Sequence, residues 1–188
     1  MSTRRMIPLF CAALGLGLAA CGGGGGGGGG DGGSNLALGA EAVVEHTQIG
    51  EDEALTKTTV GITVLAVQEG TQEQLEQGGF TLDPEEQSTT PYYVDVRYEN
   101  QGTEAIKREL DVGLEDQDGR LILSTVIIDL GGAPFEKCPK VSEGDLAPGE
   151  SYESCTLFLV PEGSEPSKVS FLPYDPESET DWVYWDAG

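Results

Sequence analysis

His46 is the only imidazole in the 188 residues, and the two methionines, Met1 and Met6, sit at the start of the chain. A multi-histidine zinc site or a Met/His copper site therefore has no ligand set to draw on. A nucleophilic triad would need His46 to meet an activated Ser or Cys and an orienting acid, and no motif marks such partners. His46 reads as a polar residue near the first strand. The carboxylates are the remaining candidates for chemistry. Asp116-x-Asp118-Gly119 opens like a calcium loop, but aligning its glycine puts Leu114 at the first ligand position and Thr125 at the last, where a bidentate Glu belongs. A hairpin turn suits these residues better. Asp175, Glu177, Glu179 and Asp181 form a second acidic group, which reads either as a weak calcium site completed by backbone carbonyls or as a solvated loop. Paired carboxylates for glycoside hydrolysis need a cleft at a defined separation. Among 33 acidic residues, finding a pair decides nothing. Near the end of the sequence, Trp182 and Tyr184 alternate with Val183 and Trp185. If this is a strand, one aromatic pair faces solvent as a sugar or protein contact surface, or the strand seals the core.

Residues 1–20 carry Arg4 and Arg5, an apolar stretch from Met6 to Leu18, and small residues up to Ala20. That order is an export signal, too short for a comfortable span of ~20 apolar residues. Leu18-Ala19-Ala20-Cys21 resembles the lipobox of bacterial lipoproteins. The resemblance implies cleavage before Cys21 and lipid on it, so the expected location is the outer side of the cell membrane, anchored and not spanning. Residues 21–40 then read as the lipidated Cys and a tether: Gly22 to Gly30 is unbroken glycine, with no side chain able to bury anything. It lacks the Gly-Lys-Ser/Thr ending of a phosphate-binding loop. With Cys11 in the leader and Cys21 taken by lipid, Cys138 and Cys155 remain. Export places them in an oxidising space and they lack Cys-x-x-Cys spacing, so a structural disulfide is expected rather than a redox pair.

Loss of the leader leaves 33 acidic side chains against eight basic ones, a formal charge of −25. Such a field repels nucleic acid and anionic headgroups. It reads either as attraction of cations or basic partners or as a solvated surface. At 38% hydrophobic residues the chain has enough apolar material to fold.

Residues 41–188 read as one all-β domain. Lys57 to Gln68 is rich in Val, Ile and Thr. In Tyr92 to Tyr98, Val94, Val96 and Tyr98 oppose Asp95 and Arg97; Leu110, Val112 and Leu114 oppose Asp111 and Glu115. Further strands are expected at Leu121 to Ile128, Tyr152 to Val160, Lys168 to Leu172 and Trp182 to Trp185. Asn100-Gln101-Gly102, Asp116 to Gly119 and Pro148-Gly149 supply turns, the first two with glycine expected at positive φ. Gly70 to Pro91 is long for a loop and should be functional or locally structured. Within it Thr71-Gln72-Glu73-Gln74 offers a capping box for a brief helix ending near Gly78, anchored by Leu75. Seven or eight short antiparallel strands suggest a sandwich.

Several strings resemble an immunoglobulin-like family of secreted and lipid-anchored actinobacterial proteins of unknown function. They are the strand Val60 to Val67 with Glu69-Gly70 and the Leu75 segment, Pro91-Tyr92-Tyr93-Val94, and Glu99-Asn100-Gln101-Gly102. Cys138-Pro139, Leu146 to Glu150, and Cys155 with Phe158 to Gly163 complete the set. The resemblance spans about Val60 to Pro173 and implies an immunoglobulin-like antiparallel β-sandwich at the cell surface, with no catalytic residues to carry over. The expected function is a non-enzymatic binding or interaction module, needing no cofactor and meeting an envelope protein or glycan. The alternatives are a carboxylate-dependent cell-wall hydrolase and a calcium-dependent adhesion module.

Overall fold

The β-branched run at Lys57 to Gln68 forms the middle of the longest strand. The computed structural model describes residues 35–49, 54–125, 135–176 and 181–188. Its elements, in order, are β1 (Glu41–Ile49), β2 (Leu55–Glu69), α1 (Gln72–Gln77), β3 (Thr89–Asn100), β4 (Ile106–Lys107), β5 (Gly113–Asp116), β6 (Leu121–Ile122), β7 (Ser124–Thr125), β8 (Asp145–Leu146), β9 (Ser151–Pro161), β10 (Pro166–Phe171) and β11 (Val183–Asp186). Among the described residues seven strands have four residues or more, and the other four have two each. A five-stranded sheet, β1-β2-β3-β9-β7, faces a four-stranded sheet, β11-β10-β5-β6, and β4 and β8 pair separately. All these pairings are antiparallel. The chain is an antiparallel β-sandwich.

Alternation decides what each strand buries. Val60, Ile62 and Val64 of β2, Val94, Val96 and Tyr98 of β3, and Phe158 and Val160 of β9 face inward, where Leu114, Val169, Phe171 and Trp185 meet them from the other sheet. Each such side chain contributes ~1.5–3 kcal/mol by leaving water. The opposite face of β3 and β9 is apolar too, at Tyr93 and Leu157, and therefore needs a cover. Leu75 of α1, Cys138 and Phe135 supply it, forming a second small core. The helix forms as its capping box demands: Thr71 Oγ1 accepts from the Gln74 N–H, and Gln74 Oε1 accepts from the Thr71 N–H. A disulfide joins Cys138 to Cys155 of β9 and fastens the cover to the sheet. For a sequence separation of 17, chain entropy alone makes such a link worth ~3 kcal/mol.

Four sequence expectations need correction. The stretch from Leu121 is not one strand: it divides at Leu123, which is 77% exposed, into β6 in one sheet and β7 in the other, and its later residues lie outside those described. Leu110 and Val112 are buried but precede β5. Gly102 is not at positive φ. It is needed because a Cβ there would collide with Thr58 Oγ1. Finally, the stretch assigned to the tether ends earlier than residue 40. Leu36 forms a parallel bridge to Trp185, the Gly39 N–H donates to the Val64 carbonyl, and Trp185 Nε1–H donates to the Ala40 carbonyl at 2.9 Å. Small and apolar residues from 35 to 40 form a strap across the edge of β11 because that edge has N–H and C=O groups to satisfy.

Candidate functional site

Trp182, the residue just before β11, and the aromatics of β11 sort by parity, so the strand expected from Trp182 begins one residue later, at Val183. Trp185 is fully buried between the sheets, whereas Trp182 is 41% exposed and Tyr184 is half-buried on the outer side. Their rings lie nearly parallel, 20° apart in tilt and 6.3 Å between centroids. That separation is about the repeat of alternate residues on a strand, ~6.6 Å. Lys168 Nζ sits 5.0 Å from the centre of the Tyr184 ring, a cation–π contact. Burial raises the Tyr184 phenol above its ordinary pKa, and the Glu115 carboxylate adds to that, so the hydroxyl stays protonated.

Register defines the rest of this outer face. Ser170 of β10 stands opposite Tyr184 on one side and Gly113 of β5 on the other. Its neighbours Val169 and Phe171 enter the core, so the Ser170 side chain points outward. Even so it is fully buried, and its Oγ has no hydrogen-bond partner. Gly113 leaves the space beside it to its neighbours: a Cβ there would lie 2.7 Å from Leu121 Cδ1 and 2.9 Å from Ser170 Oγ. Leu121, on a two-residue strand at the sheet edge and 48% exposed, fills that space from the side. The sequence pointed to Trp182 and Tyr184. It did not single out Ser170, Gly113 or Leu121, because a serine inside Lys168-Val169-Ser170-Phe171 looks like any outward position until the strand pairing is known.

The other candidates are placed elsewhere. His46 lies on β1, where its Nδ1 accepts from the Tyr174 N–H at 3.1 Å and its ring lies 5.7 Å from Phe171. Burial lowers its pKa below the ordinary 6.5. The unfolded chain therefore takes up the proton first, and stability contributed by neutral His46 is lost as pH falls below about 6.5 towards the folded value. His46→Gln should flatten the pH dependence of the melting temperature between about pH 7.5 and 5.5, above the main carboxylate range. Identical slopes for the two proteins would remove His46 from that role.

Asp116 is an internal anchor of the β5–β6 hairpin. Its Oδ1 accepts from the N–H groups of Asp118 and Arg120, and its Oδ2 from Ser164 Oγ, with Arg120 Nε 3.3 Å away. The Arg120 backbone bond, before the other contacts, lowers its pKa. Gly119, at φ 76°, turns the chain as a tight hairpin requires. Asp118 pairs with Arg120. Of the second acidic group, Asp175 pairs with Lys57 at 3.2 Å and Asp181 is exposed, while Glu177 and Glu179 lie outside the described residues, as does Cys21. Among the described residues no three of His, Cys, Asp and Glu are grouped to hold a metal ion.

Two clefts flank these elements. One, of about 390 Å³, lies between Leu121, Ile122, Leu159 and the Glu162–Ser164 turn, with Asp116 and Arg120 at its side. The other, of about 260 Å³, lies beside the disulfide. There Asp111 accepts from Thr156 Oγ1, Ser124 Oγ and the Val112 N–H, which ties its carboxylate into the wall.

No protein-family profile matches the chain, and no curated protein matches it. The fold is similar to that of solved bacterial structures. A secreted protein of Mycobacterium tuberculosis, MPT63, is 13% identical with a TM-score of 0.48, covering 81% of this chain and 96% of that one. A candidate lipoprotein of Bacillus subtilis is 15% identical with a TM-score of 0.47, the match covering 68% of this chain and 36% of that one. A conserved hypothetical protein of Bacillus anthracis is 15% identical with a TM-score of 0.39, over 75% of this chain and 96% of that one.

Proposed function

We propose that this chain acts outside the cytoplasm as a non-enzymatic binding module, held to the membrane by lipid on Cys21, that meets an envelope protein or glycan through the outer face of the β11 sheet. The observation that carries this reading is the division of labour on β11. Trp185 alone fills the core position, so folding does not account for Trp182 and Tyr184 standing together on the outside. Aromatic side chains of this kind offer large contact area with little rotamer entropy to lose, and they dominate the energetics of many interfaces. The order of export signal, lipobox and glycine run supports the location, and the strings quoted above support membership of the immunoglobulin-like surface family.

The chain has two tryptophans and only Trp182 is exposed, so a change in emission on binding, above the steady contribution of buried Trp185, reports this face. Titration with solubilised envelope material should quench or blue-shift Trp182, and Trp182→Ala should weaken capture of that material about tenfold or more, the size of a ~1.4 kcal/mol contact. Capture unchanged by Trp182→Ala would move the contact surface elsewhere on the domain.

A further inference from the structure

We propose that the outer face of the β11 sheet is a seat for a neutral saccharide, with the exposed Trp182 ring, stacked on Tyr184, as its platform and Ser170 Oγ as its buried polar anchor; this rests on the reading of that face as the contact surface. A hydroxyl brings one donor and two acceptor positions, and buried ones are normally partnered. Ser170 Oγ has no partner, although the residue is fully buried on a face that looks away from the core. Alanine would fill the same position without an unsatisfied group. The other buried hydroxyls without partners, on Tyr93, Tyr98 and Tyr152, belong to rings that fill the two cores or pack against the larger one, so there the ring accounts for the residue. At Ser170 no such account exists, and the hydroxyl is explained by what arrives from outside.

What can arrive is limited by the surroundings. Gly113 supplies no side chain, so the cover beside Ser170 is the side chain of Leu121 on the edge strand, and a ligand reaches the hydroxyl when Leu121 turns to another rotamer. One wall is aromatic. Glu115, directly opposite Lys168, puts a carboxylate acceptor at the rim, and Lys168 is held over the Tyr184 ring. A polyhydroxylated ring matches this set: an apolar C–H face for the aromatics, hydroxyls for Ser170 and Glu115. A purely apolar ligand would bury Ser170 Oγ still unpaired. An anionic one would meet the field of a chain whose acidic residues outnumber its basic ones 33 to 10.

The test uses the full-length chain and four probes: the neutral hexasaccharides of α-1,4-glucose, β-1,4-glucose, β-1,4-N-acetylglucosamine and β-1,4-mannose, followed by Trp182 fluorescence and calorimetry. At least one should bind at concentrations up to about 10 mM, the range of weak single-site recognition. Trp182→Ala should reduce that affinity tenfold or more. Ser170→Ala should reduce it at least threefold while the melting temperature stays equal or rises, a combination that a serine needed only for folding would not give. Gly113→Ala, whose Cβ would lie 2.9 Å from Ser170 Oγ and so cover it, should abolish binding, and Val43→Ala on the far sheet should leave it unchanged. If none of the four binds while a Trp182-dependent protein partner is captured from envelope material, the saccharide proposal is overturned and the contact surface stands. If a saccharide binds equally to the Trp182→Ala and Ser170→Ala variants, both the seat and the surface are overturned.

Discussion

Asn100→Ala is expected to destabilise the domain by about 3–5 kcal/mol, measured as the shift of a urea unfolding curve at unchanged slope. Asn100 ends β3 and is fully buried. Its Nδ2 donates to the carbonyls of Glu104 and Leu146, at 2.7 and 2.9 Å. Its Oδ1 accepts from the Gly102 N–H at 3.0 Å and from Thr58 Oγ1 at 3.1 Å. Its backbone also exchanges bonds with Gly149 and Glu150. One side chain thus links β2, the turn after β3, and β8. Removing it strands two carbonyls, an amide and a hydroxyl where water has little access, and each group left unpaired costs ~1–3 kcal/mol. Asn100→Asp tests the assignment of the amide. A carboxylate keeps the two acceptor roles but faces the two carbonyl oxygens, so it should be no better than alanine near neutral pH. A loss under 1 kcal/mol for alanine would mean that the four contacts are replaced by solvent, and the residue would lose its place as the organiser of that end.

The two tryptophans should behave in opposite ways. Trp185→Ala is expected to cost about 3–5 kcal/mol, as for other large core aromatics, because it opens a cavity between the sheets and frees the Ala40 carbonyl that Nε1–H satisfies. Trp182→Ala should change stability by no more than about 0.5 kcal/mol, as surface substitutions do. The same pair of unfolding curves checks both. Equal losses would mean that Trp182 is a structural residue, which would remove the support for a contact surface on β11.

How far the sequence spoke depends on how local each signal is. β2, β3 and β9 were legible because long runs of β-branched and aromatic residues alternate inward and outward over several repeats. Helix α1 was legible from four residues, since its capping box is a contact between near neighbours. The same economy misled at Asn100-Gln101-Gly102, where a turn-like string hides a long-range hub. Its partners Thr58 and Leu146 are 42 and 46 residues away. The strap at 35–40 was missed because it is held by edge hydrogen bonds rather than by a patterned face. β4 and β8, two residues each, carry no periodicity to read. At the candidate site, parity from Trp182 into β11 was enough to pair Trp182 with Tyr184. Ser170 and Gly113 join them only through the pairing of β10 with β5 and β11, which no stretch of a single strand contains.

The strap also decides how the domain meets tension. Leu36 donates its N–H to the Tyr184 carbonyl and accepts from the Asp186 N–H, both at 2.8 Å, while running parallel to β11. A pull entering through Asn35 draws the strap lengthwise along its neighbour, so these bonds share the load in shear instead of opening singly from one end. Single-molecule stretching through residue 35 should show an early force peak. Leu36→Pro, which deletes the donor, should lower it; a peak unchanged in that variant would shift the mechanical clamp to β1 and β2. For a domain held from this side, the first structure to yield is then the one lying against the strand that carries Tyr184 and follows Trp182, and stress on the chain is felt beside its aromatic face before it reaches the core.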